Sequence, residues 1–225
     1  MRILVACEES QRVTIEFRNR GHEAYSADII AESGGHPEWH IQGDAIKLIN
    51  GNCLFYTNDG ICHEIKGKWD MIIAFPPCTY LTNTGNAWFN IEKYGDKAIE
   101  RWKNRKEAAE FFMKFVNADC EKIVIENPVG IMSRWYKKPT QVIHPYMFSH
   151  GVDDKENYVT KRTCFWIKGL APLKTYDIKK PNNAELFGRW SSGKAKCWED
   201  CTTRSAKVRS KTFMGVARAM SEQWG

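Results

Sequence analysis

Residues 71–78 read Met71-Ile72-Ile73-Ala74-Phe75-Pro76-Pro77-Cys78, an apolar run that ends in two prolines and a thiol. A second short apolar run, Ile123-Val124-Ile125, is followed directly by Glu126-Asn127-Pro128. Short, fully apolar runs are typical of the buried strands of a parallel sheet, because both faces of such a sheet are covered. The two runs therefore predict two core strands, one followed by a cysteine and the other by a carboxylate.

The sequence on either side of these runs predicts further elements of the same sheet. Strands are predicted at 2–6 and 23–26 with a helix at about 11–19 between them, an order that favours a parallel α/β sheet with a right-handed crossover. Residues 30–42 and 79–90 are predicted to be loops. The other predicted elements are a short helix at 45–49, a hairpin of 53–57 with 61–65, a long helix at about 96–117, a strand at 163–167 and a final helix at 212–224.

The composition indicates a globular protein with one α/β domain and a small appendage. With 225 residues, 43% of them hydrophobic, the chain can bury a full sheet between helices. No apolar stretch approaches the ~20 residues that cross a bilayer, and the chain starts directly with a strand, so we expect a cytoplasmic monomer. We expect its eight cysteines to be mostly reduced thiols.

The basic residues concentrate in one part of the chain. The net charge is +6, and basic side chains cluster between residues 179 and 211, which suits either a nucleic-acid partner or a solvated surface. The stretch 172–211 also lacks clear periodicity and is predicted to be a small lobe. It contains Cys197 and Cys201, but structural zinc sites usually combine two close pairs, so we predict no metal site.

Residues suited to ligand binding or to chemistry follow several of the predicted strands. Ligands of parallel α/β sheets bind at the carboxyl ends of the strands. We therefore expect these positions to share one edge of the sheet and to form a site. They are Ala6–Glu9, Asp28, Asp44, Pro76–Cys78 and Glu126–Pro128.

The order and spacing of these motifs resemble the DNA cytosine-5 methyltransferases. In that family a strand carries Pro-Pro-Cys, whose cysteine is the nucleophile, and a later strand carries Glu-Asn-Val, whose glutamate contacts the target base. Here Pro76-Pro77-Cys78 matches in full and Glu126-Asn127-Pro128 matches in its first two positions. Short phage and prophage members are also similar in the strand at 161–166 and in the C-terminal run at 213–220.

The resemblance implies a fold and a domain division. The fold would be α/β, with a Rossmann-like, mostly parallel sheet of the S-adenosylmethionine-dependent methyltransferase type and a small irregular C-terminal lobe. Residues 1–167 and 212–225 would form the catalytic domain, and residues 168–211 would form the target-recognition lobe. A phage-encoded protein would act in the cytoplasm of its host.

The resemblance also implies a reaction and a set of site residues. The Cys78 thiol would add to C6 of cytosine in DNA, Glu126 would hold the N3/N4 edge of the base, and a methyl group would pass from S-adenosyl-L-methionine to C5. Arg162 would lie near the O2 atom of the base. The implied cofactor contacts are Ala6, Cys7, Glu8, Asp28, Asp44 and Pro76, and the implied substrate contacts are Pro77, Asn83, Gly85, Asn127 and Pro128.

One departure from the family keeps other functions open. Family members usually carry a Phe-x-Gly-x-Gly-type loop after the first strand, whereas residues 6–11 of this chain contain no glycine. The departure favours a catalytically lapsed DNA-binding protein as an alternative. Another alternative keeps the C5-pyrimidine chemistry and changes the substrate to RNA or a free nucleotide. An amino-methyltransferase is less favoured, because those enzymes use a proline-containing loop without a thiol.

Overall fold

The computed structural model of the chain describes residues 1–198, 200 and 206–225. The strands are β1 (Arg2–Ala6), β2 (Glu23–Asp28), β3 (His40–Gln42), β4 (Cys53–Tyr56), β5 (Cys62–Ile65), β6 (Met71–Ala74), β7 (Ile123–Pro128), β8 (Gln141–Ile143) and β9 (Thr163–Lys168). Seven of them form one sheet in the order β3-β2-β1-β6-β7-β9-β8, and β4 and β5 form a separate antiparallel hairpin. Strands β1, β2, β3, β6 and β7 are mutually parallel, whereas β9 runs antiparallel to its neighbours β7 and β8.

Helices cover both faces of this sheet. The α-helices are α1 (Arg12–Arg18), α2 (Ile91–Tyr94), α3 (Asp96–Val116), α4 (Met132–Trp135), α5 (Asn183–Phe187), α6 (Ala206–Ser210) and α7 (Met214–Trp224). Short 3-10 helices cover Pro37–Trp39, Ala45–Lys47, Asn83–Phe89 and Pro145–Phe148. None of the helices in the described part of the chain is long and apolar enough to span a membrane.

Two apolar cores lie on opposite faces of the sheet, because successive residues of each central strand point to opposite sides. One core joins alternate strand residues to α3 and contains Leu4, Ile72, Ile125, Phe112 and Phe115. The other joins the intervening strand residues to α1 and α7 and contains Val5, Ile73, Val124, Phe17 and Met220. The double burial confirms the prediction made from the two apolar runs.

The fold is thus α/β with a mostly parallel, mixed sheet of seven strands, which is compatible with a Rossmann-like fold. The prediction missed β3 and β8, each of which has only three residues and shows no usable periodicity. The loop predicted at 79–90 contains a 3-10 helix at Asn83–Phe89, and the short helix predicted at 45–49 is a 3-10 turn at Ala45–Lys47. Cys201, which was considered with Cys197 as a possible metal pair, and part of the basic cluster at 179–211, including Arg204, lie outside the described part of the chain.

Strand β7 is longer than predicted, and the difference concerns the site. The strand was expected to end at Glu126, but Asn127 and Pro128 also belong to it. They pair with Phe165, Cys164 and Thr163 of the antiparallel strand β9. This pairing fixes the direction of each side chain at the end of β7, because alternate residues face opposite sides of the sheet.

Candidate active site

The loop that carries Cys78 is clamped to the end of β7. The side-chain amide of Asn127 donates a hydrogen bond of 2.8 Å to the carbonyl oxygen of Pro76, and both residues are buried. Beyond Cys78 the chain turns tightly, because the Cys78 carbonyl accepts hydrogen bonds from the amides of Leu81 and Thr82. Thr82 then forms an isolated β-bridge with Gly130, just after β7.

This clamp explains why a glycine follows β7 at position 130. A Cβ atom built on Gly130 would lie 2.0 Å from the carbonyl oxygen of Leu81, so the two backbones touch at that point. The amide of Ile131 also donates to the Leu81 carbonyl at 2.8 Å. The loops after β6 and β7 therefore form one unit, and Cys78 and Glu126 lie at its edge.

Glu126 is a half-buried carboxylate without a hydrogen bond or ion pair to any residue that the structure describes. Burial raises its pKa, and the nearby Lys161 ammonium acts in the opposite direction. A carboxylate that is desolvated and unpartnered at the rim of a sheet is costly to stability, and such groups concentrate at functional sites.

Cys78 lies at the rim of the sheet and is exposed. The pKa of its thiol is raised, first because the sulfur is partly desolvated and second because the Glu126 carboxylate is close. Lys161 and Arg209 lower that pKa by attraction to the thiolate. The electrostatic coupling of Cys78 with Glu126 agrees with the expectation that the two groups share one edge of the sheet.

The cation that acts on both Cys78 and Glu126 is Lys161, whereas the expected contact of Arg162 with a base stays a prediction. Glu126 pairs with Phe165 of β9, and both line one small cavity together with Lys161. Arg162 is exposed, does not line this cavity, and lowers the pKa of Cys164. The sequence contained both residues, and only the folded structure distinguishes them.

A small cavity lies between Glu126 and the C-terminal segment. Its volume is about 20 Å³, and its lining includes Glu126, Lys161, Lys211 and Phe213. Segment 209–212 closes it through three hydrogen bonds: Lys161 Nζ to the Arg209 carbonyl, Lys211 Nζ to Ser33 Oγ, and Arg12 Nη1 to the Thr212 carbonyl. A space of this size holds about one water molecule.

The loop after β1 turns sharply without a glycine. Cys7 has a φ of 60°, in the left-handed region that favours glycine, and its amide donates to the Ala27 carbonyl at 2.7 Å. Burial raises the pKa of the Cys7 thiol, and the Asp28 and Asp44 carboxylates raise it further. The predicted cofactor contacts Ala6, Cys7, Asp28 and Asp44 are therefore brought to one edge of the sheet.

The Glu8 carboxylate is buried and binds the first turn of α1, and its expected contact with the cofactor stays a prediction. Its carboxylate accepts hydrogen bonds from the amides of Val13 and Thr14 and from the Thr14 hydroxyl, at 2.7, 3.2 and 2.8 Å. It thereby satisfies N–H groups in the first turn of α1, where Gln11 provides no side-chain cap. Burial raises the pKa of Glu8 to about 7, although these hydrogen bonds lower it.

Asp28 and Asp44 each use one carboxylate oxygen to hold the local backbone. Asp28 accepts from the Ile30 amide at 3.1 Å, and Asp44 accepts from the Ile46 amide at 3.0 Å as the N-cap of its 3-10 helix. Burial raises the pKa of Asp28. Ile29, which sequence reasoning missed, is 77% exposed beside Asp28. An exposed isoleucine next to a strand-end acid offers an apolar surface to a flat ligand.

The predicted substrate residues divide into two groups. Pro77 and Asn83 are exposed near Cys78, as expected for contact with a ligand. Asn127 is buried and its side-chain amide holds the Pro76 carbonyl, so that it positions the loop. Its expected contact with the substrate stays a prediction. Pro76, expected to touch the cofactor, is also buried, and Pro128 is half-buried in the pairing with β9.

Gly85 has a packing role that the sequence did not reveal. A Cβ atom at this position would lie 2.7 Å from Nη2 of Arg101, whose guanidinium therefore lies against the Gly85 backbone. Arg105 holds the same segment, because its guanidinium donates to the Tyr80 carbonyl and to Asn86 Oδ1 at 2.8 and 2.7 Å. The segment 79–90, predicted to be a loop, thus contains the 3-10 helix Asn83–Phe89 and is anchored on α3.

No group of histidine, cysteine and acidic side chains suited to a metal ion occurs among residues 1–198, 200 and 206–225. Neither a scan against protein-family models nor a search of curated proteins finds a match to this chain. The functional argument therefore depends on the residues themselves and on their arrangement.

Proposed function

We propose that this protein is an S-adenosylmethionine-dependent methyltransferase that acts on C5 of cytosine in DNA through a covalent adduct with Cys78. The observation that carries the proposal is the unpartnered, half-buried Glu126 carboxylate, electrostatically coupled to the exposed Cys78 thiol at adjacent strand ends. A nucleophile beside a group that can hold the polar edge of a pyrimidine is the pair that this reaction needs.

The two side chains have complementary tasks. The Cys78 thiolate adds to C6, and the electron pair displaced from the C5–C6 bond makes C5 nucleophilic. Glu126, whose pKa is raised by burial, is suited to share a proton with N3, which withdraws electrons from the ring during the addition. After C5 has taken the methyl group, the C5 proton leaves, and the electron pair of that C–H bond expels the Cys78 sulfur from C6.

Lys161 supports both groups. Its ammonium lowers the pKa of Cys78 and therefore increases the fraction of reactive thiolate. It also offsets the negative charge that Glu126 brings to the same space. In this proposal Lys161 takes the role of the cation near the base that the resemblance had assigned to Arg162.

The residues at the ends of β1, β2 and β3 fit the cofactor. The left-handed turn at Cys7 supplies backbone geometry that glycine usually supplies, and Asp28 and Asp44 offer acceptors for ribose hydroxyls and an adenine amino group. Ile29 offers an apolar face beside them. S-adenosylmethionine bound there would supply the methyl group.

A second candidate function is nucleic-acid binding without methyl transfer. The position of Glu8 favours it, because this carboxylate occupies N–H groups at the start of α1 that an anionic part of a ligand could otherwise use. The intact pair of Cys78 and Glu126 opposes it, because a binding protein gains nothing from an exposed thiol beside an unpartnered acid.

Nucleoside mass spectrometry of DNA from a host that lacks cytosine-5 methylation tests the proposal. Expression of the wild-type protein should introduce 5-methylcytosine, and expression of Cys78→Ala at the same level should not. Wild-type expression that leaves DNA free of 5-methylcytosine would contradict the proposal. If the purified protein then still shifts DNA in a gel, the binding function is supported.

A further inference from the structure

An exposed aromatic surface borders the active-site loop. We define it as the aromatic patch, formed by Trp88, Tyr94, Ile99 and Trp102. Trp88 and Trp102 are 55% and 40% exposed, which is unusual for the largest apolar side chain. The Trp88 and Tyr94 rings lie 5.0 Å apart, and Trp102 contacts Phe89, the residue that follows Trp88.

The aromatic patch is rigidly joined to the loop that carries Cys78. The Trp102 indole N–H donates to the Phe89 carbonyl at 3.1 Å, which holds the end of the 3-10 helix against α3. Arg105 lies 3.4 Å from the centre of the Phe89 ring and binds the Tyr80 carbonyl, two residues after Cys78. The aromatic patch is therefore fixed in position relative to the loop that carries Cys78.

Positive charge without acidic partners accompanies these rings. Lys93 Nζ lies 5.3 Å from the centre of the Tyr94 ring, and the Arg101 guanidinium lies between the rings of Tyr80 and Phe89, at 5.1 and 5.0 Å. Within the described part of the chain, neither cation forms an ion pair, and Nε of Arg101 is buried without a hydrogen bond. The acids of this segment, Glu92, Asp96 and Glu100, are exposed.

We propose that the aromatic patch binds unpaired bases of a single-stranded nucleic acid, with Trp88 stacking on a base and Arg101 contacting a phosphate. Exposed rings accept the flat faces of bases, and these faces are available only where the bases are not stacked within a duplex. Unpartnered cations beside the rings match the phosphates that connect the bases. The inference rests on the proposed function in one respect only: the bound nucleic-acid strand would run from the aromatic patch to Cys78.

The proposed occupant of the aromatic patch is thus a single-stranded nucleic acid and not a second copy of this protein. In a symmetric dimer formed through this patch, Arg101 and Lys93 of one copy would lie close to the same cations of the other copy, and these like charges would repel each other. A single-stranded nucleic acid instead brings one negatively charged phosphate with each base that stacks. The inference narrows the proposed substrate to single-stranded DNA, or to duplex DNA opened around the target cytosine.

Fluorescence anisotropy with a labelled oligothymidylate tests this proposal. Trp88→Ala should weaken binding by about fivefold to a hundredfold, because one stacked base is lost, whereas Trp88→Phe should keep most of the affinity. Trp135→Ala is the matched control: Trp135 is also exposed, at 49%, but lines a different groove with Ile46 and Met132. This control should bind like the wild-type protein.

A second pair of variants tests the phosphate contact. Arg101→Met should reduce the slope of log K against log salt concentration by about 0.7, the value for one phosphate contact to a single strand. Lys103→Met is the matched control, because Lys103 forms an ion pair with Glu107 and should leave the slope unchanged. Equal slopes for Arg101→Met and the wild-type protein would overturn the phosphate contact.

Three results would overturn the inference as a whole. The first is a Trp88→Ala affinity for oligothymidylate within twofold of wild type, and the second is a duplex that binds as tightly as the single strand. The third is sedimentation that shows a wild-type dimer broken by Trp88→Ala. Oligothymidylate contains no cytosine, so these outcomes are independent of methyl transfer, and either proposal can fail without the other.

Discussion

The substitution Asn127→Ala tests the clamp that joins the active-site loop to β7. Asn127 is 1% exposed, and its side-chain amide donates a 2.8 Å hydrogen bond to the buried Pro76 carbonyl. Without the amide, this carbonyl loses its donor in a place that water reaches poorly, which costs about 1–3 kcal/mol. In a domain of this size, such a loss lowers the melting temperature by roughly 2–10 °C.

Urea unfolding followed by circular dichroism measures the loss. Gln42→Ala is the matched control, because Gln42 also donates a side-chain amide to a backbone carbonyl, that of Ile29 at 3.3 Å, but in an exposed position. The control should change the free energy of unfolding by less than about 0.5 kcal/mol. Equal effects of the two substitutions would refute the clamp and would leave Asn127 free for the substrate contact that the sequence suggested.

Three further predictions follow from the same structure. Lys161→Met should slow the alkylation of Cys78 by iodoacetamide at pH 8 by on the order of threefold, because the loss of the cation raises the pKa of the thiol. Peptide mass spectrometry measures the rate, and Lys161→Arg, which keeps the charge, should react like the wild-type protein. The pKa of Glu8 is raised from 4.5 to about 7 in the folded protein, so between these pH values the folded chain keeps a proton that the unfolded chain has released. The free energy of unfolding of the wild-type protein should therefore fall by roughly 3 kcal/mol relative to Glu8→Gln as the pH rises from about 4.5 to 7. Parallel curves of stability against pH for the two proteins would contradict this. Gly130→Ala should destabilise the fold by about 1–3 kcal/mol in urea, because its Cβ meets a backbone carbonyl at 2.0 Å, whereas Gly43→Ala, with open space around it, should not.

The central sheet could be predicted from the sequence because its signals are local. The runs at 71–74 and 123–125 are apolar on both faces, and only the centre of a doubly covered sheet buries both. The three-residue strands β3 and β8 could not be predicted, because their pairing partners, not their own residues, make them strands. The end of β7 was missed for the same reason, since its pairing with β9 is a long-range contact.

The sequence indicated which strand ends carry candidate site residues, but not the directions of their side chains. Strand-end reasoning selected Cys78 and Glu126, and the Glu126 carboxylate is close enough to raise the pKa of the Cys78 thiol. This reasoning could not show that Glu8 turns toward the start of α1, that Asn127 turns toward Pro76, or that Lys161 faces the site. Side-chain direction depends on register and on local hydrogen bonds, neither of which a motif records.

The most direct test of the central claim is intact-protein mass spectrometry after incubation with S-adenosylmethionine and single-stranded DNA that contains 5-fluorocytosine. Once C5 is methylated, fluorine replaces the proton that must leave, so the bond between sulfur and C6 cannot be broken by elimination. The account predicts a wild-type species heavier by one oligonucleotide and one methyl group, with the attachment at Cys78, and no such species for Cys78→Ser. An absence of adduct in a wild-type protein that binds both ligands, or an adduct that persists in Cys78→Ser, would contradict it.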